Sequence, residues 1–135
     1  MNNKATIEYT KFYADDIGKN IPNIFDDPAI CCINANSYWA ANIVDAFFAL
    51  DMDINFACLN GDIRIIIANF DNGKYSFKQY YVSGMDGKII TIEKGILIGI
   101  QSLTDSCILL SGTEKLPSVI KRETNKIFKW SSKRG

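Results

Sequence analysis

Hydrophobic and polar positions along the chain change their period as the sequence proceeds. From Asn3 to Lys19 the apolar Tyr9, Phe12, Tyr13 and Ile17 fall at helical spacing, and Gly18 and Pro22 suit a helix ending. Ile7, Tyr9 and Tyr13 also fit one side of a strand, because that face is visited by every second residue. A loop follows through Pro22, Asp26, Asp27 and Pro28. From Asn36 the order Ser37, Tyr38, Trp39, Ala41, Ile43, Val44, Phe47, Phe48, Leu50 spaces apolar groups three and four apart. This predicts a second helix, with Asn36 or Ser37 accepting a first-turn amide as its N-cap.

Beyond Asp53 the texture becomes short β-branched and aromatic runs. Strands are predicted over 54–59, 63–70, 75–82, 89–93, 96–101 and 107–111, with the run Ile65 to Ile67 read as a central strand covered on both faces. Asn60-Gly61, Asn72-Gly73 and Asp86-Gly87 separate them, and each accepts the positive φ values of a type I′ hairpin turn. In the last segment, 117–130, Pro117 suits a first helical turn and Val119, Ile120, Ile127 and Phe128 share a face. This order predicts an α+β fold: an antiparallel meander of five to six strands, with two N-terminal helices and one C-terminal helix packed on it. A single globular domain spans 1–135, with frayed ends at 1–4 and 131–135.

Composition fits that picture: 47% hydrophobic and 22% charged residues in 135 suffice for one ordinary core. Four cysteines at positions 31, 32, 58 and 107 lack the paired spacings of a zinc or redox site, and are read as small buried hydrophobes. The chain contains no histidine. That removes imidazole-activated nucleophiles and most catalytic zinc sites, so no catalytic residue, metal or cofactor is expected. Asp51-Met52-Asp53 is read as a turn rather than a cation site, and Gly95-x-x-x-Gly99 as a strand that bends or packs closely. The first residues lack a secretory signal and no apolar run reaches membrane-span length, so a soluble cytoplasmic protein without a membrane partner is expected.

Net charge is zero but unevenly distributed: residues 1–53 carry eight acids against three bases, and residues 54–135 seven against twelve. An acidic patch speeds encounter with a cationic protein. The best candidates are Asp15, Asp16, Asp26 and Asp27, with Tyr38 or Tyr81 as aromatic anchors. Lys121, Arg122, Lys126 and Lys129, interleaved with Phe128 and Trp130, are the basic alternative, suited to phosphate contact and base stacking in a small nucleic-acid-binding or regulatory module.

Size, a start without targeting, abundant Ile, Asn and Lys, and an acidic segment beside aromatics give a chain that resembles bacterial immunity proteins paired with contact-dependent growth inhibition toxins. The resemblance implies a non-enzymatic inhibitor that binds a cognate toxin C-terminal domain one to one, most often a nuclease, and blocks its active site. The acidic residues would then stand in for substrate phosphates, with no nucleic acid bound by the inhibitor itself.

Overall fold

The structure is a computed structural model that describes residues 5–9, 24–25, 27–38 and 46–130 in full, and the backbone of 13–14, 19–20 and 42–43. Nearly all of it is strand: β1 (Ala5–Tyr9), β2 (Tyr13–Ala14), β3 (Lys19–Asn20), β4 (Cys32–Tyr38), β5 (Asn42–Ile43), β6 (Ala46–Leu50), β7 (Ile54–Asn60), β8 (Asp62–Asp71), β9 (Lys74–Ser83), β10 (Lys88–Ile92), β11 (Leu97–Ser102), β12 (Cys107–Thr113) and β13 (Val119–Thr124), then a 3-10 turn over Asn125–Ile127. One sheet has the order β1-β10-β7-β12-β4; the other runs β13-β6-β11-β8-β9, with β5 on β11. The pairings within both sheets are antiparallel. β2 and β3 pair separately. Among the described residues no helix is long and apolar enough to cross a membrane.

The two sheets face each other across an aliphatic layer that includes Ile63, Ile65 and Ile67 of β8, Ile90 and Ile92 of β10, Ile98 and Ile100 of β11, Phe56 and Leu109. Strand alternation sends Ile66 and Ala68 to the opposite face of β8, where a second cluster forms with Phe47, Ala49 and Leu97. The chain end covers that cluster. Ile127, Phe128 and Trp130 lie over it, Trp130 donates its indole N–H to the Asn125 carbonyl at 2.7 Å, and the rings of Phe47 and Trp130 sit 5.6 Å apart. The central strand β8 is therefore covered on both faces, as expected for Ile65 to Ile67.

That double burial corrects the expected α+β class, because the segments read as helices are strands. The stretch from Asn36 to Leu50 contains the end of β4, β5 and β6. In β6, Phe47 and Ala49 face the outer cluster while Phe48 and Leu50 face the interior, so every position is apolar and the two-residue period that marks a strand is erased. The N-terminal stripe holds β1, an edge strand on β10, and the short pair β2 and β3. The 117–130 stripe splits into β13, an edge strand on β6, and the 3-10 turn, capped by the Thr124 hydroxyl, which accepts from the Lys126 N–H at 3.3 Å.

The meander is corrected as well. Only Asn72-Gly73 closes a hairpin, between Asp71 and Lys74, with φ of 52° and 75° at its two central residues. Asn60-Gly61 and Asp86-Gly87 instead carry the chain from one sheet to the other, from β7 to β8 and from β9 to β10. Turn chemistry sets a reversal of direction, not which sheet the next strand joins. Strands that alternate between two facing antiparallel sheets make this a jelly-roll β-sandwich.

The cysteines divide into two environments: Cys58 and Cys107 are buried, Cys32 is half-buried and Cys31 exposed. Cys107 donates to the carbonyls of Asp62 at 3.3 Å and Thr104 at 3.1 Å, and Cys58 to that of Asn60 at 3.2 Å, so both thiols brace the first sheet-crossing turn. Burial pushes the Cys58 thiol up to about 12.

A Cβ at Gly99, in the middle of β11, would lie 2.6 Å from the Phe47 ring. Gly99→Ala is expected to cost about 1–3 kcal/mol of unfolding free energy in a urea titration, because the aromatic cover must shift. For Cys58, the unfolded thiol ionises near its ordinary value of about 8.5 while the folded one stays neutral, so the unfolded state loses protons first and stability falls as pH rises from about 8.5 towards 12. Urea midpoints measured across pH 8–10 should decline less steeply in Cys58→Ala than in the parent. In the native protein a thiol reagent should label Cys31 quickly and reach Cys58 and Cys107 only on unfolding.

Candidate functional site

Of the residues singled out from sequence, Asp27, Tyr38 and Tyr81 stand on different faces of the sandwich. Asp15, Asp16 and Asp26 lie outside the described residues. Asp27 is exposed in the 24–30 segment, and its Oδ1 accepts the Ala29 N–H at 2.9 Å. Tyr38, at the end of β4, packs against the inter-sheet core. Tyr81 of β9 is half-buried on the outer face of the other sheet, with the Arg64 guanidinium 5.4 Å from its ring centre and its hydroxyl donating to Gln79 Oε1 at 3.3 Å. Lys121 and Arg122 are exposed on β13, not on a helix, and Lys126 and Lys129 are exposed beyond it. Asp51 and Asp53 tie loops, accepting Ser118 N–H and Lys94 N–H at 2.9 Å each.

Two regions hold chemically useful groups. The first lies between the sheets. Alternation along β9 places Tyr80 and Val82 against the core, and Lys78, two residues earlier on the same face, stays exposed. Tyr38 reaches the same interior from β4, where it pairs with Cys107. Burial raises the phenol pKa of both Tyr38 and Tyr80, with the Cys107 thiol adding to the rise at Tyr38, so both rings keep their proton and remain hydrogen-bond donors at neutral pH. Consecutive Tyr80 and Tyr81 thus part company, one to the interior and one beneath Arg64.

The second is a groove of about 360 Å³ on the outer face of the five-stranded sheet. Register sets its floor: Thr6 of β1, Thr91 of β10 and Asn55 of β7 stand side by side. The Thr91 hydroxyl donates to Asn55 Oδ1 at 2.6 Å, and Asn55 Nδ2 donates to the Gly112 carbonyl at 3.1 Å. Ile24, Phe25 and Ile30 form one wall, packed on Ile89 and Leu110. The wall can lie this close because Gly112 has no side chain: a Cβ there would come within 2.8 Å of Ile30 and 3.0 Å of Phe25. Glu8, Tyr9 and Asp27 complete the rim. Sequence reasoning missed Thr6, Glu8, Asn55 and Thr91, since polar residues scattered over three strands become neighbours only through strand register.

No family model matches the chain, and no curated protein matches it in sequence. Its fold does match solved structures. A dTDP-4-dehydrorhamnose 3,5-epimerase from Bacillus anthracis, with TDP and pyrophosphate bound, superposes with a TM-score of 0.72 at 14% identity, covering 89% of this chain and 77% of that one. The 3,4-ketoisomerase QdtA from Thermoanaerobacterium thermosaccharolyticum, in complex with TDP-4-keto-6-deoxyglucose, gives 0.70 at 17% identity, covering 86% and 83%. A dTDP-4-dehydrorhamnose 3,5-epimerase from Sulfolobus tokodaii gives 0.71 at 12%, covering 93% and 80%. These neighbours correct the expected identity. They are sugar-nucleotide enzymes, not immunity proteins, and they overturn the toxin-inhibitor reading together with its nucleic-acid alternative, its one-to-one toxin partner and its non-enzymatic assignment. At such identities the likeness establishes the fold: the chain is a jelly-roll sandwich of the kind on which dTDP-sugar epimerases and ketoisomerases are built.

Proposed function

We propose that this protein acts in the cytoplasm on a nucleotide-linked keto-sugar, as an epimerase or keto-isomerase. The observation that carries the reading is the correspondence of the whole sandwich, over 86–89% of the chain, with enzymes holding TDP or a TDP-keto-sugar. Fold alone does not prescribe chemistry, so the site must supply what the reaction needs.

Epimerisation and keto-isomerisation beside a carbonyl share one demand. A proton leaves the carbon next to the carbonyl, the oxygen carries the developing negative charge, and a proton returns in a new place. One QdtA structure carries a histidine-to-asparagine substitution. This chain has no histidine, so proton abstraction falls to a carboxylate, an amine or a phenolate. The inward Tyr80 and Tyr38 suit the complementary task. Each offers an O–H to an oxygen that gains charge, in a setting drier than water where such a bond counts for more, and burial moves its pKa further above neutrality. Lys78, exposed on the same face of β9 as Tyr80, supplies a cation within reach of a diphosphate.

The test uses the intact protein with TDP-4-keto-6-deoxyglucose in deuterium oxide. Proton NMR should show loss of the signal beside the carbonyl and growth of an isomer. Tyr80→Phe and Tyr38→Phe should slow that exchange about 100-fold or more while TDP affinity changes less than about threefold. Exchange no faster than in buffer, together with no TDP binding up to about 1 mM, overturns the reading.

A further inference from the structure

We infer that the groove on the outer face of the five-stranded sheet is a separate binding site, for a pyranose unit that is neutral or bears an amino group and carries no phosphate. This goes beyond the proposed reaction, which takes place between the sheets; the groove opens on the other side of the sheet that holds Thr91 and Asn55.

The volume of about 360 Å³ lies at the lower end of the roughly 300–1,000 Å³ typical of small-molecule sites, which suits one or two sugar rings better than a whole sugar nucleotide. The chemistry of the lining is one-sided. Glu8 is exposed at the rim, and Asp27 commits one oxygen, Oδ1, to the Ala29 amide. Thr6 and Thr91 add hydroxyls, so the groove is rich in acceptors for the O–H and N–H groups of a sugar. Among the described residues that line it, none is Lys or Arg. Among these described residues a phosphate or diphosphate would meet two carboxylates, whereas an ammonium group would find in them two partners.

The remaining surface suits the apolar side of a pyranose. Phe25 and Ile89 form a nearly buried apolar wall at 9% and 8% exposure, against which the C–H groups of a sugar can pack. The floor is preformed, because Asn55 spends its amide on the Gly112 carbonyl and on the Thr91 hydroxyl and so holds three strands together. A site ordered before its ligand arrives loses little entropy on binding.

The experiment is a titration of ¹⁵N-labelled full chain with glucosamine, glucose and glucose 1-phosphate, each to about 20 mM, followed by amide chemical shifts. Saturable shifts are expected at Thr6, Glu8, Asn55, Ile89 and Thr91 with glucosamine and, about threefold to tenfold more weakly, with glucose, and none there with glucose 1-phosphate. Glu8→Gln with Asp27→Asn should remove the preference for the amino sugar and leave glucose binding in place; asparagine retains the oxygen that accepts the Ala29 amide. Gly112→Ala, which pushes on Phe25 and Ile30, should weaken both sugars with an unchanged far-ultraviolet spectrum. TDP binding, measured in the same samples, should be the same in parent and variants, so failure of the reaction proposed above and failure of this site are told apart. The inference is overturned if no saturable shift occurs at those amides, if glucose 1-phosphate binds there as well as glucosamine, or if the double variant keeps the preference.

Discussion

Two antiparallel sheets pressed against a shared isoleucine-rich layer are the constraint on which the rest depends. Ile63, Ile65, Ile67, Ile90, Ile92, Ile98 and Ile100 meet there, each almost fully removed from water. β-branched side chains pack well on a pleated surface and lose little rotamer freedom in doing so. The layer also ties remote parts of the chain together, since β7, β8, β10, β11 and β12 all contribute to it while belonging to different sheets. With that register set, the positions of Tyr38, Tyr80, Asn55 and Thr91 follow from strand alternation.

The outer surfaces of the two sheets are managed differently. On the six-stranded sheet an aromatic layer of Phe47, Phe77, Phe128 and Trp130 is closed by the chain end, with ring centres 4.9–6.3 Å apart between neighbours. On the five-stranded sheet Ile24, Phe25 and Ile30 cover the rung of Ala57, Ile89 and Leu110, and the adjoining polar rung of Thr6, Thr91 and Asn55 lines a groove. The Gly112 backbone, bonded to Asn55 and overlaid by Phe25 and Ile30, joins the two rungs.

A jelly roll without histidine narrows the ways in which it could move a proton. Neutral phenols are effective donors, and burial makes these two still harder to ionise, so the interior as described is suited to stabilising charge on oxygen. The buried cysteines do not redress the balance: Cys58, pushed up to about 12, is a thiol at neutral pH and serves the turn at Asn60-Gly61.

The strands after Asp53 were legible, because β7 to β12 each combine a β-branched or aromatic run with turn residues at their ends, and those local preferences agree with the fold. The first fifty residues and the last twenty were not. In β6 and β13, apolar residues on both sides imitate helical spacing, and nothing within fifteen residues reveals that a partner strand waits at β11 or β6. The immunity-protein resemblance rested on size and composition, which many folds share, whereas the sheet order distinguishes them. Local sequence determined that these segments would be extended, apolar and punctuated by tight turns, because backbone sterics and side-chain branching act within a few residues. Only the tertiary structure decided which sheet each strand joined, and with it which polar side chains met on one face, because those choices depend on burying surfaces brought together from distant parts of the chain.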